Sequence, residues 1–148
     1  MCSTDSTDEW KGWQRLGDTV LHIELRDWAD LCLIAPLSAH TLAKLAHGLC
    51  DDLLSSVLRA WDWGYHRAKP VVLAPAMNTA MWVHPLTAAQ LATVQSFAHD
   101  MVTVVPPQVK ELACGEVGEG ALASVTTIVE AVEKVLHLGV EREGGTSG

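Results

Sequence analysis

Several things are scarce in this 148-residue chain, and each scarcity removes a class of function. There is no Cys-x-x-Cys pair: the four cysteines stand at 2, 32, 50 and 114. Cys32 and Cys50 fall in apolar runs, where free thiols behave as small hydrophobes, so a reducing compartment is expected rather than a disulfide scaffold. No apolar run reaches membrane-spanning length, and the polar, acidic stretch 1–18 has no apolar segment of the secretory kind. The cytosol is the expected location, with no membrane as partner. Cations are few, ten Lys and Arg against eighteen Asp and Glu, for a formal charge of −8. Phosphate backbones are bound through basic stripes, so nucleic acid is excluded as well. The seven histidines form no metal-ligand spacing and no Cys/His cluster, so no metal site is expected. Internal repeats are absent too.

What remains is an alternation of short apolar runs and amphipathic segments in a chain of single-domain size. Residues 29–35 form a continuous apolar run that Pro36 should end, as expected of a strand buried on both faces. Apolar residues at 42, 45, 46, 49, 53, 57 and 58 keep helical spacing, which predicts one helix from about Thr41 to Trp61 with Gly48 its weak point. A second buried run covers 71–75, and Pro85 opens a helix with Leu91, Val94 and Phe97 on one side. Val102 to Val105 reads as a third strand, ended by Pro106-Pro107. A Gly-rich loop follows, and then a helix from about Ser124 with Ile128, Val132, Val135 and Leu136 inward. Such alternation predicts an α/β fold, a parallel sheet with helices on both faces. Three strands make a narrow sheet, so the pattern reads as the back part of a larger doubly wound domain. The division expected is a polar segment 1–18, a domain over 19–138, and a disordered tail over 139–148.

In open α/β sheets ligands bind beyond the carboxyl ends of the strands. Four segments, all read as loops, are candidates: His22 to Trp28, Pro36 to Thr41, Pro75 to Trp82, and Leu112 to Ala121. Asn78 is the most telling residue, one amide among Met77, Met81 and Trp82 after the run Val71-Val72-Leu73-Ala74. An amide buried there without a partner costs about 1–3 kcal/mol, so a partner is expected, and a ligand is one candidate. Ser38 and Thr41 stand where a strand hands over to a helix; they either cap that helix or hold an anion or flavin edge. Cys114 lies among Gly115, Gly118 and Gly120 on a turn, as an acid, a nucleophile or an inert thiol. The glycines match no phosphate-loop spacing. His22 is a possible acid or base. Trp28, Trp61 and Trp82 are expected in a core or an interface.

Taken together the segments resemble the flavin-containing cysteine decarboxylases, most closely the phosphopantothenoylcysteine decarboxylases of coenzyme A synthesis. The resemblance runs over about residues 8 to 136: Asp8-Glu9-Trp10, Val20-Leu21-His22-Ile23-Glu24-Leu25-Arg26, Trp28-Ala29-Asp30, Ile34-Ala35-Pro36-Leu37-Ser38-Ala39, Arg59-Ala60-Trp61-Asp62, Pro75 to Trp82, and Ala113-Cys114-Gly115. It implies a Rossmann-like or flavodoxin-like sheet, FMN as cofactor, and decarboxylation of 4'-phospho-N-pantothenoylcysteine to 4'-phosphopantetheine. Flavin oxidation of the substrate thiol to a thioaldehyde supplies the electron sink that a saturated carbon lacks. By resemblance His22 acts at the oxidative step, Asn78 holds the substrate carboxylate, Met81 and Ala113 line the pocket, and Cys114 protonates the intermediate in the final reduction. Ser38, Ala39, His40, Thr41 and Ala76 would contact the flavin. The resemblance also implies a trimer whose sites combine His22 of one chain with Asn78 and Cys114 of another.

Relatives carry, upstream, a strand, a Gly/Ser phosphate turn, a helix and a second strand, so the chain is expected to lack the usual first strands. Two substitutions depart from the family. Its Ser-Ala-Asn-Thr reads Ser38-Ala39-His40-Thr41 here, and Glu111 stands where a basic residue meets the substrate phosphate, leaving Lys110 as the available cation. The alternative function is a non-catalytic member that joins a heterotrimer with a full-length relative or regulates another protein. A flavin prenyltransferase is disfavoured by Cys114 and the Asn78 motif.

Overall fold

The computed structural model describes residues 19–65, 69–98, 100–111 and 117–144. Its elements are α1 (Leu21–Trp28), β1 (Cys32–Leu37), α2 (Ala39–His47), α3 (Leu53–Arg59), β2 (Val71–Pro75), α4 (Thr79–Trp82), α5 (Pro85–Ser96), β3 (Val102–Val104), β4 (Gln108–Glu111), β5 (Val117–Ala121) and α6 (Val125–Gly144). Strands β1, β2 and β3 form a parallel sheet in that order, as the alternation requires. All five residues of β2 are buried. Side chains alternate across a strand, so Val71 and Leu73 join one core while Val72 and Ala74 join another. The first core takes Leu42 and Leu45 of α2, Val57 and Leu58 of α3, and Val94 of α5. Ile128 of α6 completes the second. Helices therefore cover both faces.

Several boundaries differ from the sequence reading. Pro36 does not end β1 but lies within it, after a cis Ala35–Pro36 peptide and inside a register irregularity between Ile34 and Leu37. An edge strand tolerates this, because a residue without an N–H costs the ladder nothing on an unpaired side. The single helix expected over 41–61 is two. Gly48 adopts φ 72° and ends α2 in a left-handed cap, and Leu49 N–H bonds back to the Lys44 carbonyl at 3.0 Å. Asp52 then starts α3 with a capping box: its carboxylate accepts from Ser55 N–H at 2.8 Å while Ser55 Oγ meets Asp52 N–H at 3.2 Å. His22 to Trp28 is helix α1 rather than loop, and the Gly-rich loop is the antiparallel hairpin β4–β5. The tail expected to be disordered from 139 is helical as far as Gly144, since Glu141, Arg142 and Glu143 are good helix formers however polar.

The break between α2 and α3 is bridged by charge. Lys44, a buried lysine, reaches Asp51 at 2.6 Å and Asp52 at 2.7 Å. Hydrogen bonds from Asp51 and then Asp52 hold its pKa above the usual 10.5. Asp51 is held below 3.8 chiefly by the Lys44 hydrogen bond. For Asp52 burial pushes upward, but Lys44 and Ser55 outweigh it and the net displacement is downward. Groups with lowered folded pKa stabilise above their unfolded value and lose that stabilisation as pH falls through the folded one. Resistance to urea is therefore expected to fall below about pH 4, and again as pH climbs past the raised lysine value. Asp52→Asn keeps a capping side chain but removes the charge; a mutant with the same acid slope as wild type would refute this assignment.

Candidate functional site

The parallel sheet fixes the site by bringing three chain ends to one edge. Beyond β1, Ser38 caps α2, its Oγ accepting from Thr41 N–H at 3.1 Å and lying 3.0 Å from Thr41 Oγ1. Beyond β2, Ala76 N–H donates to the Leu37 carbonyl at 2.9 Å, which seats the segment 76–82 beside Ser38. Beyond β3, the hairpin β4–β5 returns over the same edge, and Met77 N–H donates to the Gly120 carbonyl at 2.9 Å. Ser38, Ala39, His40 and Thr41 are thus grouped with Ala76, Asn78 and Met81. His40 is exposed on the first turn of α2, and Met81 is also exposed.

Asn78 is not buried, contrary to the expectation of an amide inside an apolar wall; it is exposed, and its Oδ1 caps α4 by accepting from Ala80 N–H at 2.8 Å. The cap takes the oxygen. Its –NH2 is left as a double donor for a ligand. Two more caps stiffen the edge. His84 Nδ1 accepts from Leu86 N–H at 3.2 Å with Pro85 in the first turn of α5, and Thr87 Oγ1 donates to the Met81 carbonyl. A four-residue helix is too short to persist alone. These contacts hold α4, and with it Asn78 and Met81, against α5.

The other candidates are placed less fully. Cys114 and Ala113 lie outside the described residues, between β4 and β5, and Lys110 is on β4. His22 is on α1, which packs against α3 rather than against the carboxyl-edge segments. Trp61 is buried in the main core as expected, while Trp28 is 80% exposed. Among the described cysteines Cys32 is half-buried, its pKa pushed up to about 11 by burial, which makes it a packing residue. Cys50 is exposed, not part of an apolar run, and donates to the Gly48 carbonyl.

The sequence placed Gly120 among glycines free to take positive φ and approach another backbone, but read them as a loop and did not single this one out. Its φ is +107°, and a Cβ there would fall 2.4 Å from the Met77 carbonyl oxygen. Only glycine allows the hairpin to lie this close to the segment that carries Asn78. The available signal was alternation: Gly118 and Gly120 are buried and Glu119 is exposed, the period of a strand whose small side rests on another backbone.

Residues 3–137 match the family described as Flavoprotein. The chain belongs to that family. Phosphopantothenoylcysteine decarboxylase of Mus musculus is 54% identical over 129 residues, which are 87% of this chain and 60% of that protein. Among solved structures, a PPC decarboxylase mutant complexed with pantothenoylaminoethenethiol superposes with TM-score 0.78 at 46% identity, covering 90% of this chain and 70% of that one. The FMN-binding protein AtHal3 follows at TM-score 0.74 and 48% identity, with 88% and 66% covered. The flavoprotein chain thus spans about 60% of the mouse relative it matches. Among the described residues no helix is long and apolar enough to cross a membrane.

Proposed function

We propose that this chain serves FMN-dependent decarboxylation of 4'-phospho-N-pantothenoylcysteine to 4'-phosphopantetheine in coenzyme A synthesis, in the cytoplasm. The observation that carries the reading is the convergence of Ser38–Thr41, Ala76–Met81 and the β4–β5 hairpin on one carboxyl edge. The donor set fits a flavin ring: the Ser38 and Thr41 hydroxyls and the first turn of α2 suit its carbonyl and ring-nitrogen edge, with His40 beside them and Ala76 leaving backbone room. None of the described turns at this edge is a Gly/Ser phosphate turn. When bound, FMN supplies the two-electron oxidant that renders the carbon beside the carboxylate able to lose carbon dioxide, and it returns the electrons afterwards.

The chain's own residues do the remainder. The Asn78 –NH2 donates to the substrate carboxylate and orients it. An amide holds that carboxylate less tightly than a guanidinium would, so less of the ground-state interaction opposes its departure. Met81 and Ala113 give the pocket its apolar wall, Lys110 meets the substrate phosphate, and Cys114 gives up a proton in the last step. His22 accepts a proton at the oxidative step in a neighbouring chain's site, so the working form is an oligomer, by the family resemblance a trimer, of this chain alone or with a full-length relative.

The test is direct. Purified chain mixed with FMN is expected to turn yellow with the cofactor retained on gel filtration and to release carbon dioxide from the phosphorylated substrate. A chain that retains no FMN and releases none sinks the reading. Co-assembly with a full-length relative, without turnover of its own, would favour the non-catalytic alternative instead.

A further inference from the structure

Lys69 lies just before β2, some forty residues from α1, yet its ammonium ends on that helix. Nζ donates to the carbonyls of Arg26 at 2.7 Å, Asp27 at 3.2 Å and Ala29 at 2.8 Å. Three N–H groups meet three acceptors, which exhausts the ammonium's donors. No carboxylate among the described residues pairs with it. The charge is given entirely to the carboxyl end of α1, where the last carbonyls lack intrahelical partners and the dipole favours a cation.

The seat of Lys69 is firm. Its carbonyl accepts from Trp61 Nε1 at 2.9 Å, its N–H donates to the Asp62 carbonyl at 3.0 Å, and its ammonium lies 5.7 Å from the centre of the Trp61 ring. Trp61 is 4% exposed in the main core. By contrast α1, beyond its packing against α3, is a short helix with little buried surface. It is eight residues long, Val20 gives it no side-chain cap, and none of its residues is fully buried; Leu25 packs only partly against the core. A helix of that length is not stable without tertiary contacts.

We infer that Lys69 is a positioning residue for His22, fixing the helix that presents the imidazole. His22 and Arg26 are four apart, so they share a face one turn from each other, and tilting the clamped end displaces the other. The inference rests on the proposed role of His22 and names a residue that touches neither substrate nor cofactor.

Lys69→Met keeps the length and removes every donor; Lys69→Arg restores cation and donors. In Lys69→Met, amide exchange over residues 23–28 is expected to rise about ten-fold while residues 71–74 exchange as in wild type. The His22 ring resonances should move in the NMR spectrum, and Lys69→Arg should bring both observables back toward wild type. In active protein kcat should fall with KM and FMN retention unchanged. Unaltered exchange and unaltered His22 resonances would overturn the inference, whether or not the chain decarboxylates. Loss of all turnover in wild type would sink the functional reading instead and leave the exchange and NMR arms decisive. If Lys69→Met does not fold, Trp61→Phe, which unseats Lys69 by removing the indole N–H, should show the same changes at smaller amplitude; wild-type values there would also overturn it.

Discussion

Alanine at position 120 is expected to lift the β4–β5 hairpin off the edge of the sheet. The added methyl would meet the Met77 carbonyl oxygen at 2.4 Å, its carbon at 3.4 Å and the Trp82 Cβ at 3.3 Å. The first of these is backbone that cannot swing aside, because Met77 N–H is bonded to the same Gly120. A φ of +107° adds strain of its own, on the order of 1–3 kcal/mol for an L side chain in a sparsely populated region. Overpacking costs about as much again. The cheapest escape is undocking of the hairpin. Gly120→Ala should therefore show fast amide exchange over 108–111 and 117–121, a lowered urea midpoint, and loss of the proposed decarboxylation, since β5 no longer rests on the segment that carries Asn78. Wild-type exchange in the hairpin would contradict this account of the edge.

Asn78→Asp separates structure from chemistry. Asparagine and aspartate cap helices about equally well, so the bond to Ala80 N–H survives and the melting temperature should hold. In the proposed role, however, the donor becomes a carboxylate facing the substrate's carboxylate. Like charges so placed cost several kcal/mol, and turnover should drop at least a hundred-fold, which corresponds to about 2.7 kcal/mol. Preserved activity with preserved stability would remove Asn78 from the proposed site. Loss of both would mean that the cap, not the donor, is what the residue provides.

The parallel sheet was legible because the short apolar run Val71 to Pro75, bounded by turns, has the length and branching of a doubly buried strand, which it is. The run at 29–35 was expected to be buried on both faces too, but as the edge strand β1 it leaves Leu33 and Ala35 exposed and buries only Ile34 and Leu37. Asn78 was found for a reason that the structure revises. The pattern marked a polar residue among apolar ones, but patterning says nothing of which side of Met77 and Met81 faces water; the amide is exposed and capped. Gly48 and Asp52 carried the signals of a helix end and a new start, yet continuous apolar spacing through them favoured one long helix. The hairpin was hidden by its glycines, which read as a loop until their partner, the Met77 backbone, is known. Lys69 was illegible altogether. Its acceptors are main-chain carbonyls, present at every residue, and only the fold says which ones lie within its reach.

The pairing of β2 also has a consequence for how the chain leaves the ribosome. Val71 pairs with Cys32 on one side and Val102 on the other, so neither neighbour can be reached by a tight turn. Parallel pairing of this kind closes long loops before it is rewarded, and it slows folding compared with local hairpins. During synthesis β2 can pair with β1 as soon as it emerges, but its other flank, apolar along Val71 to Pro75, stays bare until Val102–Val104 have been translated. In that interval the nascent chain carries a bare apolar strand edge, open to association with other chains.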